Sequence, residues 1–389
     1  MSMVSSIDRG HMVGLLKDLV SIDSVNPSLV PDSAGEKEIS DYIEDWMLSL
    51  GLETERYDVK PNRPNVVGVL KGSGKGKTLL LNGHTDTVGV DYMEIDPFEP
   101  VVKEGRLYGR GSFDMKGGLT ASMSAVKAVI DSGEELKGDV ILAAVCDEEY
   151  ASIGTERLME DIRADAAIIG EFTAENIQIA HKGFAWIDLE TRGLAAHGSA
   201  YKVGVDAIAK MGYVLIGLEA LQKILEEIEH PLVGPPSVHA SIIEGGRELS
   251  TYPDKCMLKI ERRLIPGENK EDVDKELRDM LASISEGDPK FAASYEITFY
   301  RAPMEIGEDE EICRMLRKGA RDITNRTPEW IGGSGWMDTQ IIWSKGIPAV
   351  AHGPFGEGAH AKEEWVDLDS VYRVAQVHEY AIRNFCGVT

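Results

Sequence analysis

Four short runs of almost uninterrupted apolar residues, at 65–70, 78–82, 140–145 and 166–169, punctuate the first half of the chain. A strand that is apolar at nearly every position, instead of every second one, has to be covered on both faces. The segments between them have helical period. "SAGEKEISDYIEDWMLSLG" carries Ile39, Ile43, Trp46 and Leu50 on one stripe, opens on Ser33 with Glu36 three residues later as in a capping box, and stops at Gly51. A second helix is expected over about residues 116–131. Alternation of this kind predicts an α/β domain with a mixed, mostly parallel sheet flanked by helices.

From about residue 181 the rhythm changes. The pattern reads as a strand at 183–191, a helix at 205–229, strands at 237–244 and 255–264, a helix at 270–284 and a strand at 294–300. That order, β-α-β-β-α-β, is the split (ferredoxin-like) arrangement. "IPAVAHGP" and a final helix at about 368–385 then resume the earlier style. With 389 residues two domains are expected. We therefore divide the chain into one domain of residues 1–180 and 301–389 and an inserted domain of residues 181–300.

A net charge of −25 excludes general affinity for nucleic acid or anionic membranes, because phosphate rewards Lys and Arg. No run approaches the roughly 20 apolar residues of a membrane span. "MVGLLKDLVSI" is interrupted by Lys17 and Asp18 and has no small-residue cleavage site, so the protein is expected in the cytoplasm, with residues 1–11 as a disordered leader. Cys146, Cys256, Cys313 and Cys386 lie far apart and form no C-x-x-C pair, which points to reduced structural thiols. "KGSGKGKT" has Lys71 where a phosphate loop needs its first glycine and leads into a strand, so it reads as a lysine-rich turn.

The chemistry gathers where the apolar runs end. His84 and Asp86 follow the 78–82 run, and residues two apart in an extended chain share a face, so Asp86 can orient the His84 imidazole as carboxylates do beside metal-bound histidines. "GRGSFDMKGG" sets Asp114 in a glycine-rich loop before a helix, where a carboxylate also serves as a simple cap. "VILAAVCDEEY" ends in Asp147, Glu148 and Glu149, adjacent acids that repel unless water or a cation surrounds them. "AAIIGEF" ends in Glu171, and "GEGAHAKEEW" presents His360 in a glycine-rich loop. Singly, each has an ordinary reading as a cap or a solvated turn. Together they fall at the carboxyl ends of strands, the edge of an α/β sheet where ligands bind. Two histidines and three carboxylates suit two divalent ions, most simply zinc, with cobalt or manganese as alternatives. One carboxylate has to bridge ions roughly 3.5–4 Å apart, leaving an acid free to act as a base. Ser24, Ser112 and Cys146 stand near these motifs, but none lies in a nucleophile elbow.

These motifs, with "NGHTDTV", "CDEEYASIG", "GLAAHGSAYKVGVDAI" and "GEGAHAKEEWV", resemble in order and spacing the M20 metallopeptidase and deacylase family over nearly the whole chain. That family includes acetylornithine deacetylases, succinyl-diaminopimelate desuccinylases, aminoacylases and carboxypeptidases. The resemblance implies a catalytic domain with two metals and an inserted domain that dimerises and closes over substrate. By motif, His84 and Glu171 would hold one metal, Glu149 and His360 the other, and Asp114 would bridge. Glu148 would be the general base and Asp86 would hold His84. His197 would reach the partner subunit's site to stabilise the oxyanion, and Arg263 would grip a substrate carboxylate. A cis bond between Asp114 and Met115 is also implied. "GEF" stands for the more usual Gly-Glu-Pro, Ser250 for an asparagine, and Gln340 for an arginine of several diaminopimelate- and ornithine-type members, while Asp338 is kept. The expected activity is hydrolysis of the amide bond of an N-acyl amino acid of acetylornithine or succinyl-diaminopimelate type, by metal-activated water and a Glu base, in a homodimer. A carboxypeptidase or dipeptidase acting on short peptides is the second reading, and an inactive metal- or peptide-binding relative the third.

Overall fold

The computed structural model describes residues 6–389. In chain order the main elements are α1 (Arg9–Ser21), α2 (Lys37–Ser49), β1 (Glu53–Lys60), β2 (Arg63–Leu70), β3 (Leu79–His84), α3 (Gly117–Asp131), β4 (Val140–Val145), α4 (Ile153–Asp161), β5 (Ala166–Ile169), β6 (Ile177–His181), β7 (Gly183–Arg192), α5 (Ala207–Leu225), β8 (Ser237–Gly245), β9 (Lys255–Leu264), α6 (Lys270–Gly287), β10 (Ala293–Arg301), α7 (Glu311–Thr324), β11 (Ala349–Ala351) and α8 (Leu368–Ala381). By contacts the chain divides into two compact units, the second consisting of Ala180–Glu305 and Gly332–Trp336.

In the first unit the sheet order is β1-β2-β4-β3-β5-β11-β6. The strands β4, β3, β5 and β11 run parallel, and β1, β2 and β6 are antiparallel to their neighbours. Every residue of β3, β4 and β5 is buried, as apolar strands under helices require. Parallel pairing brings His84 level with Val145 and Asn82 level with Ile169, so the segments after these strands leave one edge together. Helix α3 lies close on that edge: a Cβ on Gly118 would fall 1.6 Å from the Gly170 carbonyl oxygen. A small antiparallel sheet of Gly356–Glu357, Trp365–Asp367, Arg106–Tyr108 and Val101–Lys103 carries the loop with His360.

Two local expectations are corrected. Residues 6–11 belong to the fold: Asp8 caps α1 by accepting from the His11 N–H at 3.0 Å, and Ile7 packs in a cluster with Met12, Leu16 and Val20. The rest of the expected leader, residues 1–5, lies outside the described residues. The capping box at Ser33 does not form. Ser33 donates instead to the Val25 carbonyl at 2.8 Å, the Glu36 carboxylate takes Arg63 Nε at 2.8 Å, and α2 starts at Lys37. A buried guanidinium outcompetes a helix cap for that carboxylate.

The second unit has the element order β-α-β-β-α-β and a fully antiparallel sheet, β8-β9-β7-β10. Ala185, Ile187 and Leu189 of β7 pack with Met211, Val214 and Leu218 of α5 and Val273 and Leu277 of α6. By the alternation of a strand, Phe184, Trp186, Asp188 and Glu190 therefore lie on the face without helices. Strand β8 is an edge.

Candidate metal centre

His84 closes β3 with its ring 1% exposed. Its Nδ1 lies 2.9 Å from the main-chain carbonyl of Asp86, which makes Nδ1 the protonated nitrogen and leaves the Nε2 lone pair free. That Nε2 lies 3.3 Å from Asp114 Oδ1 and 3.5 Å from Glu171 Oε1. On the other side, His360 Nε2 lies 3.2 Å from Asp114 Oδ2 and 3.0 Å from Glu149 Oε2. Asp114 thus turns one oxygen to each histidine. His84, Asp114 and Glu171 form one set of possible ligand atoms, and Asp114, Glu149 and His360 a second, each within 4.8 Å. Glu148 belongs to neither set; its Oε2 stands 3.9 Å from His84 Nε2. The Asp114–Met115 peptide is cis.

Several supporting residues were not legible as such. The Asp86 carboxylate is 3.6 Å from the His84 ring, so the main-chain carbonyl is what orients that imidazole. The carboxylate instead accepts the main-chain N–H groups of Glu148 and Glu149, each at 3.1 Å, and the Asn26 side chain at 2.7 Å. Asn26 also donates to Asp147 at 3.1 Å, and Arg63 pairs with Asp147 at 2.8 Å. Glu364, wholly buried, accepts from the N–H groups of Phe113 (2.9 Å) and Asp114 (3.0 Å) with Oε1, and from Gly111 N–H (3.0 Å) and Arg110 Nη1 (2.7 Å) with Oε2. It holds the loop that presents Asp114. In the sequence it is one of two adjacent glutamates, and nothing local distinguishes it from Glu363.

The electrostatics fit bound cations. Burial first, then the charge of Glu171, pushes Glu148 well above the usual carboxylate range. Burial and the Asp114 charge raise Glu149 to about 7, and burial with the charges of Asp114 and Glu149 raises Glu171 to about 8 despite the nearby imidazole of His84. Burial works against ionised Asp114 too, but hydrogen bonds from His360 and His84 hold it below its ordinary range. Bonding to Asp114 and Glu149 lifts His360 to about 10. So many carboxyls crowded away from water cannot all ionise without added positive charge. Glu149 Oε1 is also buried with no hydrogen-bond partner among the described residues. An all-oxygen-and-nitrogen donor set with a shared carboxylate suits two divalent ions.

The other predicted residues lie in the second unit. His197 is exposed, with Nδ1 2.8 Å from Ser199 Oγ. Arg263 is about a third exposed and donates from Nε to Glu261 at 2.7 Å. His352 and His378 form a buried pair at 3.1 Å, with His378 Nδ1 3.1 Å from Ser122 Oγ. All four cysteines are free and buried.

A sequence model described as peptidase family M20/M25/M40 matches residues 80–384. The chain belongs to this family. It is 27% identical over 411 residues to the N-formyl-4-amino-5-aminomethyl-2-methylpyrimidine deformylase of Bacillus subtilis, covering 97% of this chain and 95% of that one. It is 31% identical over 379 residues to an acetylornithine deacetylase of Vibrio cholerae, covering 95% and 97%. A solved Bacillus subtilis structure described as a dinuclear metal binding peptidase from the M20 family shares the fold with a TM-score of 0.72 at 16% identity, covering 97% and 98%. The protein is accordingly an M20 metallohydrolase. No helix among the described residues is long and apolar enough to cross a membrane.

Proposed function

We propose that this M20 protein is a dinuclear metal-dependent amidohydrolase that removes an acyl group from the nitrogen of an N-acyl amino acid. The observation that carries this reading is Asp114, with one oxygen toward His84 and Glu171 and the other toward His360 and Glu149. Two divalent ions, zinc first and cobalt or manganese as alternatives, would there supply Lewis acidity toward the scissile carbonyl and a nucleophilic water at neutral pH. The remaining work falls to the chain's own groups. Glu148, outside both ligand sets and fixed through its N–H by Asp86, takes the proton of the attacking water and passes it to the leaving nitrogen. Arg263 takes the substrate carboxylate with its planar fork. His197, from a second copy of the chain, steadies the tetrahedral oxyanion.

Removal of an acyl group is favoured over peptide cleavage by the relatives of 27–31% identity, whose names describe deformylation and deacetylation. We take the second unit as a lid and dimerisation domain. Ile216 and Ile224 of α5 and Ile242 and Ile243 of the edge strand β8 are 69%, 64%, 52% and 51% exposed, apolar surface that a homodimer would cover. Buried, unpaired cysteines agree with a cytoplasmic site.

The test is hydrolysis by metal-stripped protein with zinc, cobalt or manganese restored. The substrates are N-acetylornithine, N-succinyl-diaminopimelate, N-acetyl and N-formyl amino acids, and dipeptides. Turnover should return with metal, favour the acyl substrates, and fall about 10²- to 10⁴-fold in Glu148→Ala, which should still bind two equivalents of metal. Cleavage of dipeptides alone would move the assignment to a dipeptidase. Two equivalents bound with no turnover of anything would mark a binding protein.

A further inference from the structure

The helix-free face of the second unit's sheet carries an aromatic cluster that the proposed reaction leaves unused. Trp186 and Phe299 lie with ring centroids 5.1 Å apart, Phe184 is 5.4 Å from Trp186 and 5.7 Å from Phe299, and Trp336 meets Phe184 edge-on at 6.3 Å. Trp186, Phe299 and Trp336 are each only partly buried. Two cations frame the rings: Arg263 stands 5.2 Å above Phe184, and Arg301 stands 4.9 Å from the Phe299 centroid and 5.3 Å from that of Trp336.

One carboxylate sets the geometry. Glu261 accepts Arg263 Nε at 2.7 Å on Oε1 and Trp186 Nε1 at 3.0 Å on Oε2. The terminal nitrogens Nη1 and Nη2 of Arg263 have no hydrogen-bond partner among the described residues, and the side chain is about a third exposed, beside an indole held by the same anchor. Cation and aromatic surface are therefore built as a pair. Among the described residues Trp336 Nε1 and His181 Nε2 are buried without hydrogen-bond partners, and the two rings meet edge-on at 6.1 Å.

We infer that Trp186, Phe299 and Trp336 are specificity-determining residues, a platform on which the substrate's side chain stacks while Arg263 holds its carboxylate, so that the preferred N-acyl substrates carry a planar aromatic or heteroaromatic group. This rests on the reading of Arg263 as the carboxylate-binding residue of an amidohydrolase. The physical reason is that planar groups gain from offset stacking on partly open rings and from the flanking guanidinium, whereas a small aliphatic side chain gains neither, and an ammonium-bearing one, although rings attract cations, is repelled by the guanidinium groups of Arg263 and Arg301.

The experiment compares kcat/KM of the metal-loaded protein for N-acetyl-L-phenylalanine and N-acetyl-L-tryptophan with that for N-acetyl-L-alanine and N-acetylornithine. The aromatic substrates should lead by about tenfold or more. Trp186→Leu and Phe299→Leu should remove that lead by raising KM for the two aromatic substrates by about tenfold, with melting curves checking the fold. Equal or better use of the aliphatic substrates, or variants that lower all four alike, overturns the platform while the amidohydrolase reading stands. If no substrate turns over, the amidohydrolase reading is what fails. Tryptophan fluorescence of the full-length protein titrated with N-acetyl-L-phenylalanine then decides: saturable quenching lost in Phe299→Leu supports the platform, and its absence overturns it.

Discussion

Glu364 belongs to neither ligand set, yet both of its oxygens are engaged by donors on the Asp114 loop, including the N–H of Asp114 itself. Groups that orient metal ligands typically contribute 10- to 100-fold in affinity. Glu364→Gln keeps one good acceptor and should weaken metal binding by about tenfold, measured by titration calorimetry. Glu364→Ala should do worse and also destabilise the fold by roughly 3–5 kcal/mol, since it leaves Arg110, 1% exposed, as an unpaired buried cation. Unchanged affinity in both would show that the loop keeps its shape without this carboxylate. Glu148→Ala should behave oppositely, retaining metal and losing turnover. Resolving the adjacent acids into base, ligand and loop holder takes atomic positions. Asp86 shows the same limit: its spacing from His84 pointed to the right neighbour, but the bond comes from its main chain.

Among the elements, α3 is placed by what its first turn lacks. Gly118 lies so close to Gly170 that a methyl group would overlap the carbonyl oxygen at 1.6 Å, and Gly170 precedes Glu171. Gly118→Ala should therefore cost about 1–3 kcal/mol or more, seen as a lower Tm, and weaken metal binding by displacing Glu171. Gly212 in α5 has nothing within 4 Å of such a methyl, so Gly212→Ala should be neutral or stabilise by about 0.5–1 kcal/mol. Equal melting shifts for the two would refute this account of the packing. The parallel strands themselves were readable from their unbroken apolar runs. Strand β1 was not, because its outward alternation and polar composition resemble a surface segment.

For the whole molecule, the crowding of acids couples stability to metal and pH. In the ion-free protein Glu171 and Glu149 bind protons more tightly when folded, at about 8 and 7 against an ordinary 4.5, and His360 does so at about 10 against 6.5. Each contribution is present at low pH and is lost as pH rises through the folded value. The Tm of chelator-treated protein should therefore fall between about pH 5 and pH 9, while the metal-loaded protein, its carboxylates paired, should stay nearly level over that window. Asp114 has the opposite sign, but its contribution is lost only as pH falls below 3.8. A chelated protein whose Tm rises with pH would contradict this assignment. In the proposed homodimer, mixing His197→Ala with Glu148→Ala should restore about a quarter of wild-type activity, since half the dimers are mixed and one of their two sites is whole. No recovery despite subunit exchange would exclude His197 from acting across the interface.

What the amino-acid sequence determined by itself was local and periodic: buried strands from continuous apolar runs, helices from 3.6-residue stripes, and a set of candidate metal ligands from acids and histidines gathered after strands and in glycine-rich loops. Each of those signals is carried by neighbours in the chain. Tertiary structure decided which distant residues serve those ligands. Arg63 meets Asp147 because β2 and β4 lie side by side, Asn26 meets Asp86 and Asp147 because its segment pairs with the one that follows β3 (Asn26 N–H to the Thr87 carbonyl, 2.8 Å), and Glu364 meets Asp114 because one small sheet joins the segments that carry them. The same holds for Glu36, which left the helix cap its spacing suggested for a buried guanidinium. A buried polar group takes the partner that the topology supplies, because leaving it unpaired away from water costs more than any local preference contributes.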